Sequence, residues 1–384
     1  MKSSTRSQVA PFIVMDVMET ARRAEEAGQH IIHMEVGQPG TPAPKGARDA
    51  LSRDMEAESL GYTVALGLPA LRSRIAKLYK SWYEVDLDPA RIVVTSGSSG
   101  AFLLAFTALF DAGDKVGLGE PGYPSYKQIL KALSLDAVGL QTSLENRLQP
   151  VADDIVEQGL DGLIVASPAN PSGTMLDEAA LRSLISTCAE EGISFVSDEI
   201  YHGIQYGARA VSALEISNDV YVINSFSKFF SMTGWRIGWM VVPEDHIRTV
   251  ERLAQNMFIC APHASQVAAL AALDCEEELC KNMDVYTENR QLMIDGLPAA
   301  GFPNFAPPDG AFYIYADVSD LTDNSLAFCE ELLEHTGVAV TPGLDFDSQR
   351  GAQTIRFSYA RATADIREGL ERLTRYMAKR VTAG

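Results

Sequence analysis

The chain has 384 residues, and its 32 Lys and Arg stand against 51 Asp and Glu, so that its net charge is −19. Such an acidic chain is a poor partner for nucleic acids and for anionic membrane surfaces, because both are bound through Lys and Arg. Hydrophobic residues make up 46% of the chain, which is typical of a globular protein and excludes a disordered one.

Predicted strands and helices alternate through the first two thirds of the chain. Short apolar runs predict strands at residues 91–95, 115–118, 162–166, 194–197 and 220–224. Longer amphipathic segments predict helices at residues 101–110, 125–133 and 177–191. This alternation indicates an α/β domain with a mainly parallel sheet, whose strands are buried on both faces.

The two ends of the chain have a different pattern. Apolar residues at helical spacing predict a helix near residues 14–21. Beyond residue 275, the pattern predicts helices at 276–297 and 325–336, strands at 338–341 and 354–358, and a final helix. This order indicates a smaller α+β domain. The N-terminal segment is expected to pack with it, since chain ends often lie close together.

The residues that follow the predicted strands are candidate ligand-binding residues, because ligands bind beyond the carboxyl ends of parallel strands. After strand 91–95, the small residues from Ser96 to Gly100 open a helix. Their N–H groups could bind a phosphate or could form an ordinary helix cap. After strand 162–166, Asn170 could direct its amide to a ligand oxygen, or it could belong to a plain Asn-Pro turn.

Charged residues follow the next two strands. A carboxylate at the end of an apolar strand is costly unless it is paired. Asp198 therefore either caps its turn or faces a cationic ring nitrogen, with Tyr201 on the same side. Lys228 lies in a run of phenylalanines, and apolar surroundings lower the pKa of an amine towards the neutral, nucleophilic form. A surface lysine with a buried stem is the alternative.

The motifs of these loops occur in one order along the chain: Asn170-Pro171-x-Gly173, Asp198-x-x-Tyr201, Ser225-x-Ser227-Lys228 and then Arg236. With their spacing, they resemble those of the fold type I, pyridoxal-phosphate-dependent class I/II aminotransferases. The similarity extends over nearly the whole chain, from the turn at Gly37 to Arg356. It implies a large domain with a mainly parallel seven-stranded sheet and a smaller α+β domain. We expect the large, cofactor-binding domain at residues 46–285 and a discontinuous small domain at residues 1–45 and 286–384.

The resemblance implies a role for each residue that would surround the cofactor ring. Lys228 would hold pyridoxal phosphate as an internal aldimine and then act as acid and base. Asp198 would pair with the protonated ring nitrogen and so keep the ring an electron sink. Tyr201 and Asn170 would hydrogen-bond the phenolic oxygen of the ring, and Tyr123 would stack on its face. The catalytic residues are thus expected to be Lys228, Asp198 and Tyr201.

The resemblance also implies how the charged groups of cofactor and substrate are held. The residues expected to bind the cofactor phosphate are Gly97, Ser98, Ser99, Ser225, Ser227 and Arg236. The substrate α-carboxylate would be held by Arg356, with help from Gly37 and Asn170. Tyr62 would reach the phosphate of the neighbouring subunit, so the expected assembly is a homodimer with shared active sites.

The expected reaction is transfer of the amino group of an L-amino acid to a 2-oxo acid by a ping-pong mechanism. The preferred substrates stay open. Some family members that act on aspartate carry a Lys where this chain has Ser99, so a neutral or apolar side chain fits slightly better here. An Arg from another loop could still serve aspartate. The segment 12–18 could cover the side-chain pocket and decide between them.

Two other functions are alternatives: a C–S β-lyase on the same scaffold, and a non-catalytic, pyridoxal-phosphate-binding regulator. Such regulators usually carry a helix-turn-helix domain, for which only about 30 residues precede Gly37. The five Cys show no paired metal spacing, so no metal site is expected, and reduced thiols favour the cytoplasm. We expect neither a membrane span nor a secretory signal.

Overall fold

The computed structural model describes residues 1–57, 59–156 and 158–383. Its helices are α1 (Ile13–Glu26), α2 (Lys45–Ala57), α3 (Pro69–Tyr83), α4 (Gly97–Leu109), α5 (Pro124–Ala132), α6 (Glu178–Glu191), α7 (Ile247–Met257), α8 (His263–Ala272), α9 (Glu276–Ala299), α10 (Ser325–Thr336) and α11 (Thr363–Ala383). Its strands are β1 (Ile32–His33), β2 (Ile92–Thr95), β3 (Lys115–Glu120), β4 (Asp136–Gln141), β5 (Gly162–Ala166), β6 (Ser194–Asp198), β7 (Tyr221–Ser225), β8 (Gly238–Val241), β9 (Asn304–Phe305), β10 (Tyr313–Asp317), β11 (Val338–Ala339), β12 (Thr341–Pro342) and β13 (Thr354–Ser358).

The largest sheet has seven strands in the order β2-β8-β7-β6-β5-β3-β4. Strand β8 runs antiparallel to both of its neighbours, and the other pairs are parallel. The central strands are buried along nearly their whole length, because helices cover both faces of such a sheet. The expected α/β fold with a mainly parallel seven-stranded sheet is confirmed.

Local signals account for the helix boundaries that the sequence predicts well. The Asp177 side chain accepts a hydrogen bond from Ala180 N and so caps α6, which ends at Gly192 in the left-handed conformation. In the same way, α10 begins after an Asn324 cap and ends at Gly337. Helix α4, in contrast, begins at Gly97, four residues before the predicted start at residue 101. The small residues of its first turn carry no helical pattern.

Two strands of the large sheet are not predicted by the sequence pattern. Strand β4 lies at the sheet edge, and only one of its residues is fully buried, so it lacks an apolar run. Strand β8 is short, buried and mostly apolar, and its antiparallel place beside β2 and β7 is visible only from the pairing of the strands.

The C-terminal region forms a four-stranded antiparallel sheet in the order β12-β13-β10-β9. The predicted strand at residues 338–341 is divided between two sheets, because β11 pairs with β1 and β12 pairs with β13. The parallel pairing of β1 with β11 attaches the N-terminal segment to this region. The exact division of the chain into domains stays a prediction. None of the helices in the described residues is long and apolar enough to cross a membrane.

Candidate active site

Strand register gathers the predicted anion-binding residues at one edge of the large sheet. Gly238, at the start of β8, lies opposite Thr95 at the end of β2 and opposite Ser225 at the end of β7. Helix α4 follows β2 directly, and Arg236 directly precedes β8. Antiparallel β8 therefore brings Arg236 and the N-terminus of α4 together, although they are far apart in the sequence.

The packing between Arg236 and α4 leaves no room for a side chain at Gly97. A Cβ atom added to Gly97, whose φ is +72°, would collide with the Arg236 guanidinium. A Cβ on Gly238 would lie 3.1 Å from Ser98 N. The N–H groups that open a helix and an adjacent guanidinium both attract negative charge. Nearby, Ser225 Oγ donates to Ser227 Oγ at 2.8 Å, so hydroxyls adjoin the same edge.

A cavity lies at this edge of the sheet. Among the residues the structure describes, Lys228 is the one lysine that lines it. Its Nζ donates to Gly37 O at 2.6 Å and lies 5.6 Å from the centre of the Tyr201 ring. Burial of the amine and the nearby Arg356 guanidinium lower the pKa of Lys228 to about 8, against the opposing effect of Asp198. A substantial fraction of the amine is therefore neutral near physiological pH, as a nucleophile or base must be.

Asp198 is a buried carboxylate at the end of β6. Its Oδ1 accepts a hydrogen bond from Ile200 N at 3.1 Å, and its Oδ2 accepts one from the Tyr126 hydroxyl. Burial raises the pKa of Asp198 to about 6, and these two donors and the Lys228 charge limit the rise. The group is thus mostly ionised at neutral pH and can pair with a cation in the cavity.

Tyr126 and Tyr313 belong to the site but are missed by the sequence analysis. Tyr126 lies three residues after Tyr123, so helical spacing at the start of α5 could have indicated it. The hydroxyls of Tyr313 and Tyr201 lie 2.8 Å apart, and a Cβ on Gly37 would collide with the Tyr313 hydroxyl. Because Gly37 has no side chain, the Tyr313 hydroxyl can lie against its backbone. No sequence pattern indicates Tyr313, because the pairing of β10 with the strand of Arg356 is visible only in the structure.

Arg356 is buried, with its guanidinium between polar and aromatic groups. Its Nη1 donates to Asn170 Oδ1 at 2.9 Å, and its Nη2 donates to Glu35 O. The guanidinium carbon lies 4.6 Å from the centre of the Tyr313 ring and 4.8 Å from that of Phe346. Among the described side chains, none accepts a hydrogen bond from its Nε. A buried guanidinium whose Nε–H has no acceptor is suited to bind a carboxylate through two hydrogen bonds.

Most of the predicted site residues line one cavity of about 220 Å³, called here the inner cavity. Those that do are Gly37, Ser98, Ser99, Tyr123, Asn170, Asp198, Tyr201, Ser227, Lys228, Arg236 and Arg356. Gly97 and Ser225 do not line the inner cavity, but each contacts a residue that does. Gly97 packs against Arg236, and Ser225 hydrogen-bonds Ser227. Tyr62 is not part of the lining, and 84% of its surface is exposed.

The inner cavity combines three binding functions with one reactive amine. Arg236 and the start of α4 suit an anion, Asp198 suits a cation, and Arg356 suits a carboxylate. Lys228 lies among them with a pKa lowered to about 8. Such an arrangement can hold a ring that carries a phosphate and a ring cation, bind an amino acid by its carboxylate and move a proton at its α-carbon.

Comparisons with known proteins agree in the class of enzyme that they find. A family model described as "Aminotransferase class I and II" matches residues 29–373. The valine–pyruvate aminotransferase of Mycobacterium tuberculosis is 45% identical over 374 residues, or 96% of either chain. A crystal structure of a putative aminotransferase from Silicibacter pomeroyi is 68% identical, with a TM-score of 0.95 over 99% of this chain and 100% of that one. A crystal structure of an aminotransferase from M. tuberculosis has a TM-score of 0.96 at 42% identity, with the same coverage of both chains.

Proposed function

Because this chain belongs to the class I and II aminotransferases, it is a pyridoxal-phosphate-dependent aminotransferase, and we propose that Lys228 is its catalytic lysine. The observation that carries the proposal is the position of the Lys228 amine in the inner cavity, between Asp198 and Arg356, with its pKa lowered to about 8. The relatives named above are aminotransferases, so neither a C–S β-lyase nor a regulator is favoured.

The residues present fit pyridoxal phosphate. The close packing of Gly97 against Arg236 places a guanidinium beside the N-terminus of α4, and both attract an anion such as a phosphate. We propose that Gly97, Ser98 and Ser99 bind it through backbone N–H groups, and that Arg236 does so through its side chain. The two remaining phosphate ligands in the proposal are Ser225 and Ser227.

We propose that the ring is held by groups on both sides of the inner cavity. The Asp198 carboxylate accepts a hydrogen bond from the protonated ring nitrogen, and Tyr126 helps to keep that carboxylate ionised. Tyr201 and Asn170 donate hydrogen bonds to the phenolic oxygen, and Tyr123 stacks on the ring. When bound, pyridoxal phosphate supplies an electron sink that stabilises negative charge at the α-carbon of an amino acid.

Arg356 binds the substrate α-carboxylate in this proposal, with the Gly37 backbone and the Asn170 amide beside it. The Lys228 amine, which lines the same cavity, would accept the proton from the α-carbon of the bound amino acid as a base and then give it up as an acid. We propose a ping-pong order, in which the first 2-oxo acid leaves before the second enters. The M. tuberculosis relative is named for valine and pyruvate, and we propose that this pair is among the substrates.

We propose a homodimer in which Tyr62 reaches the phosphate of the partner subunit. Its exposure of 84% and its position outside the inner cavity support this role. We further propose the division into a large domain at residues 46–285 and a small domain at residues 1–45 and 286–384. A cytoplasmic location is proposed because all five Cys are unpaired thiols.

The direct test is Lys228→Ala, compared with the exposed Lys77→Ala as a control. The Lys228→Ala protein is expected to lose transamination between valine and pyruvate by at least about three orders of magnitude, together with the absorbance band of the lysine-bound cofactor. The Lys77→Ala protein should keep both. Transamination retained in Lys228→Ala would refute the assignment of this lysine.

A further inference from the structure

We propose that the substrate side chain enters a second, larger cavity beside the inner cavity, and that this cavity selects bulky neutral side chains over that of aspartate. The proposal rests on the proposed function, since it takes Arg356 as the ligand of the α-carboxylate. The second cavity has a volume of about 780 Å³ and is called here the outer cavity. It lies between residues 9–13, helix α5 and residues 344–348.

The outer cavity adjoins the inner cavity along a common wall. Phe12, Ser99, Tyr123 and Tyr126 line both. The inner cavity, with about 220 Å³, has to hold the pyridine ring, its phosphate and the substrate backbone. The outer cavity shares a wall with it, so it is the adjoining space that a large substrate side chain can enter.

The wall itself is aromatic. The rings of Phe12 and Tyr123 meet edge to face at a centroid distance of 6.0 Å. The segment that carries Phe12 is held on both sides, because Ala10 N donates to Gln128 Oε1 at 2.9 Å and Val14 N donates to Asp345 Oδ2 at 3.0 Å. A substrate side chain at this wall consequently contacts fixed apolar rings.

Most of the outer cavity is apolar. Aliphatic and aromatic side chains from three segments of the chain line it, among them Val9, Pro11, Ile13, Leu118, Ile129 and Phe346. Transfer of an apolar side chain into such surroundings is favourable in proportion to the apolar surface that it buries. The outer cavity therefore favours the binding of branched-chain and aromatic side chains.

The described lining of the outer cavity has no excess of positive charge to attract a second substrate carboxylate, and its acidic Asp347 is paired with Arg350 Nε at 2.8 Å. Three of its lining residues are acidic, namely Glu120, Asp345 and Asp347. In the described part of the chain, its only basic lining residues are Lys127 and Lys131. Lys127 is half exposed, and its Nζ lies 3.5 Å from Glu120 Oε1, so its charge is already partly matched.

The guanidiniums of the inner cavity do not change this balance. Arg236 lies against the N-terminus of α4, where the phosphate is proposed to bind. Arg356 is directed at the α-carboxylate, with Asn170 as its neighbour. Aspartate would thus place its second carboxylate in a mostly apolar cavity, whose described lining includes Lys127 and Lys131 but no guanidinium.

The first experiment measures kcat/KM of the cofactor-loaded enzyme for leucine, phenylalanine and aspartate, with pyruvate as acceptor. We expect leucine and phenylalanine to exceed aspartate by at least about tenfold. In parallel, the unreactive analogues 4-methylpentanoate and succinate are titrated by calorimetry, and 4-methylpentanoate should bind at least about tenfold more tightly. Aspartate or succinate equal to or better than its neutral counterpart would overturn the proposal. Failure with every amino acid would instead count against the proposed function.

The second experiment adds one cation to the outer cavity. Leu344 lines the cavity and is 42% exposed, whereas Leu144 is 53% exposed and lies outside its lining. Leu344→Lys should raise the kcat/KM ratio of aspartate to leucine by about fivefold to tenfold, which corresponds to one new ion pair in a partly buried site. Leu144→Lys carries the same charge and should leave the ratio unchanged. An equal response of the two variants, or none, contradicts the proposed path of the side chain.

Discussion

Asp198 keeps its charge in the protein interior because its neighbours offset the cost of burial. Burial alone favours the protonated form of a carboxyl group. The Tyr126 hydroxyl, Ile200 N and the Lys228 amine each stabilise the carboxylate, and together they hold the pKa of Asp198 near 6. At the residue scale, the cofactor ring therefore depends on a tyrosine that does not contact it in our proposal.

This dependence predicts the effect of Tyr126→Phe. Without the hydroxyl, the pKa of Asp198 should rise, and a smaller fraction of the carboxylate is ionised at neutral pH. A hydrogen bond to a charged group contributes about 1.5–3 kcal/mol, so the affinity of the apo-protein for pyridoxal phosphate should fall about tenfold or more. Fluorescence titration of the apo-protein measures the dissociation constant.

Tyr83→Phe is the matched control, because the Tyr83 hydroxyl is also buried but bonds His202 Nδ1, at 2.6 Å. That variant should unfold more easily yet bind the cofactor with unchanged affinity. An equal loss of affinity in both variants would show that Tyr126 acts through general stability and not through Asp198.

At the scale of elements, His33 connects helix α1 to strand β1. Its Nδ1 lies 2.7 Å from Glu35 Oε1, and its Nε2 lies 3.1 Å from Glu25 Oε1 on α1. Hydrogen bonding to Glu35, aided by Glu25, raises the pKa of His33 to about 8. The carbonyl of Glu35, two residues after β1, accepts a hydrogen bond from Arg356, the residue that we propose binds the substrate carboxylate.

The raised pKa of His33 predicts a pH-dependent contribution to stability. The charged ring is favoured in the folded protein, so its contribution is complete below about pH 6.5, the ordinary His pKa, and is lost as the pH rises through about 8. The loss should amount to about 1–2 kcal/mol in the free energy of unfolding.

Urea unfolding at about pH 6 and about pH 9, at one protein concentration, measures this loss. The wild type and a control with the exposed His335→Gln substitution should both lose stability between the two values. The decrease should be smaller in His33→Gln, because that side chain does not titrate. Parallel pH profiles for all three proteins would contradict the role of His33.

At the scale of the whole molecule, Tyr62 is a predicted site residue that does not line the inner cavity of its own chain. Tyr62 is held in a segment that is attached to the region of α8: His263 Nδ1 lies 2.8 Å from Gly61 O, and Gln266 Nε2 donates to Thr63 Oγ1 at 3.0 Å. Large apolar side chains are exposed in this segment and in the one before α8, including Val64 and Ile259. Exposed apolar groups of this kind suit a subunit interface.

Mixed dimers test the shared active site. In a dimer of a Tyr62→Phe chain with a Lys228→Ala chain, one active site regains both wild-type residues and the other loses both. Co-refolding equal amounts of the two inactive or weakened proteins should restore about a quarter of the wild-type activity, since half of the dimers are mixed and each has one intact site. Activity that stays at the average of the two separate proteins, or full activity of a monomer, would exclude the shared site.

Much of the fold follows from local features of the sequence. The buried strand β5 coincides with a predicted run because its apolar residues are continuous, and β13 does so because Ile355 and Phe357 alternate with polar residues. The edge strand β4 escapes the pattern because pairing with β3, rather than its own composition, makes it a strand. The short strand β8 is apolar and buried, but its antiparallel place between β2 and β7 is visible only from its pairing. The candidate side chains follow the same division: Asp198 and Lys228 stand out within their motifs, whereas Tyr313 does not.

The sequence by itself determined the class of this protein, because the order and spacing of the motifs from Asn170 to Arg236 resemble those of the class I and II aminotransferases. Only the tertiary structure decided which groups surround them. Tyr126 reaches Asp198, Tyr313 reaches Tyr201, and the N-terminal segment encloses the outer cavity, all by contacts between residues distant along the chain. Spacing records the order of residues, but cavity volume, burial and the pKa values that depend on them arise only when separate elements pack together.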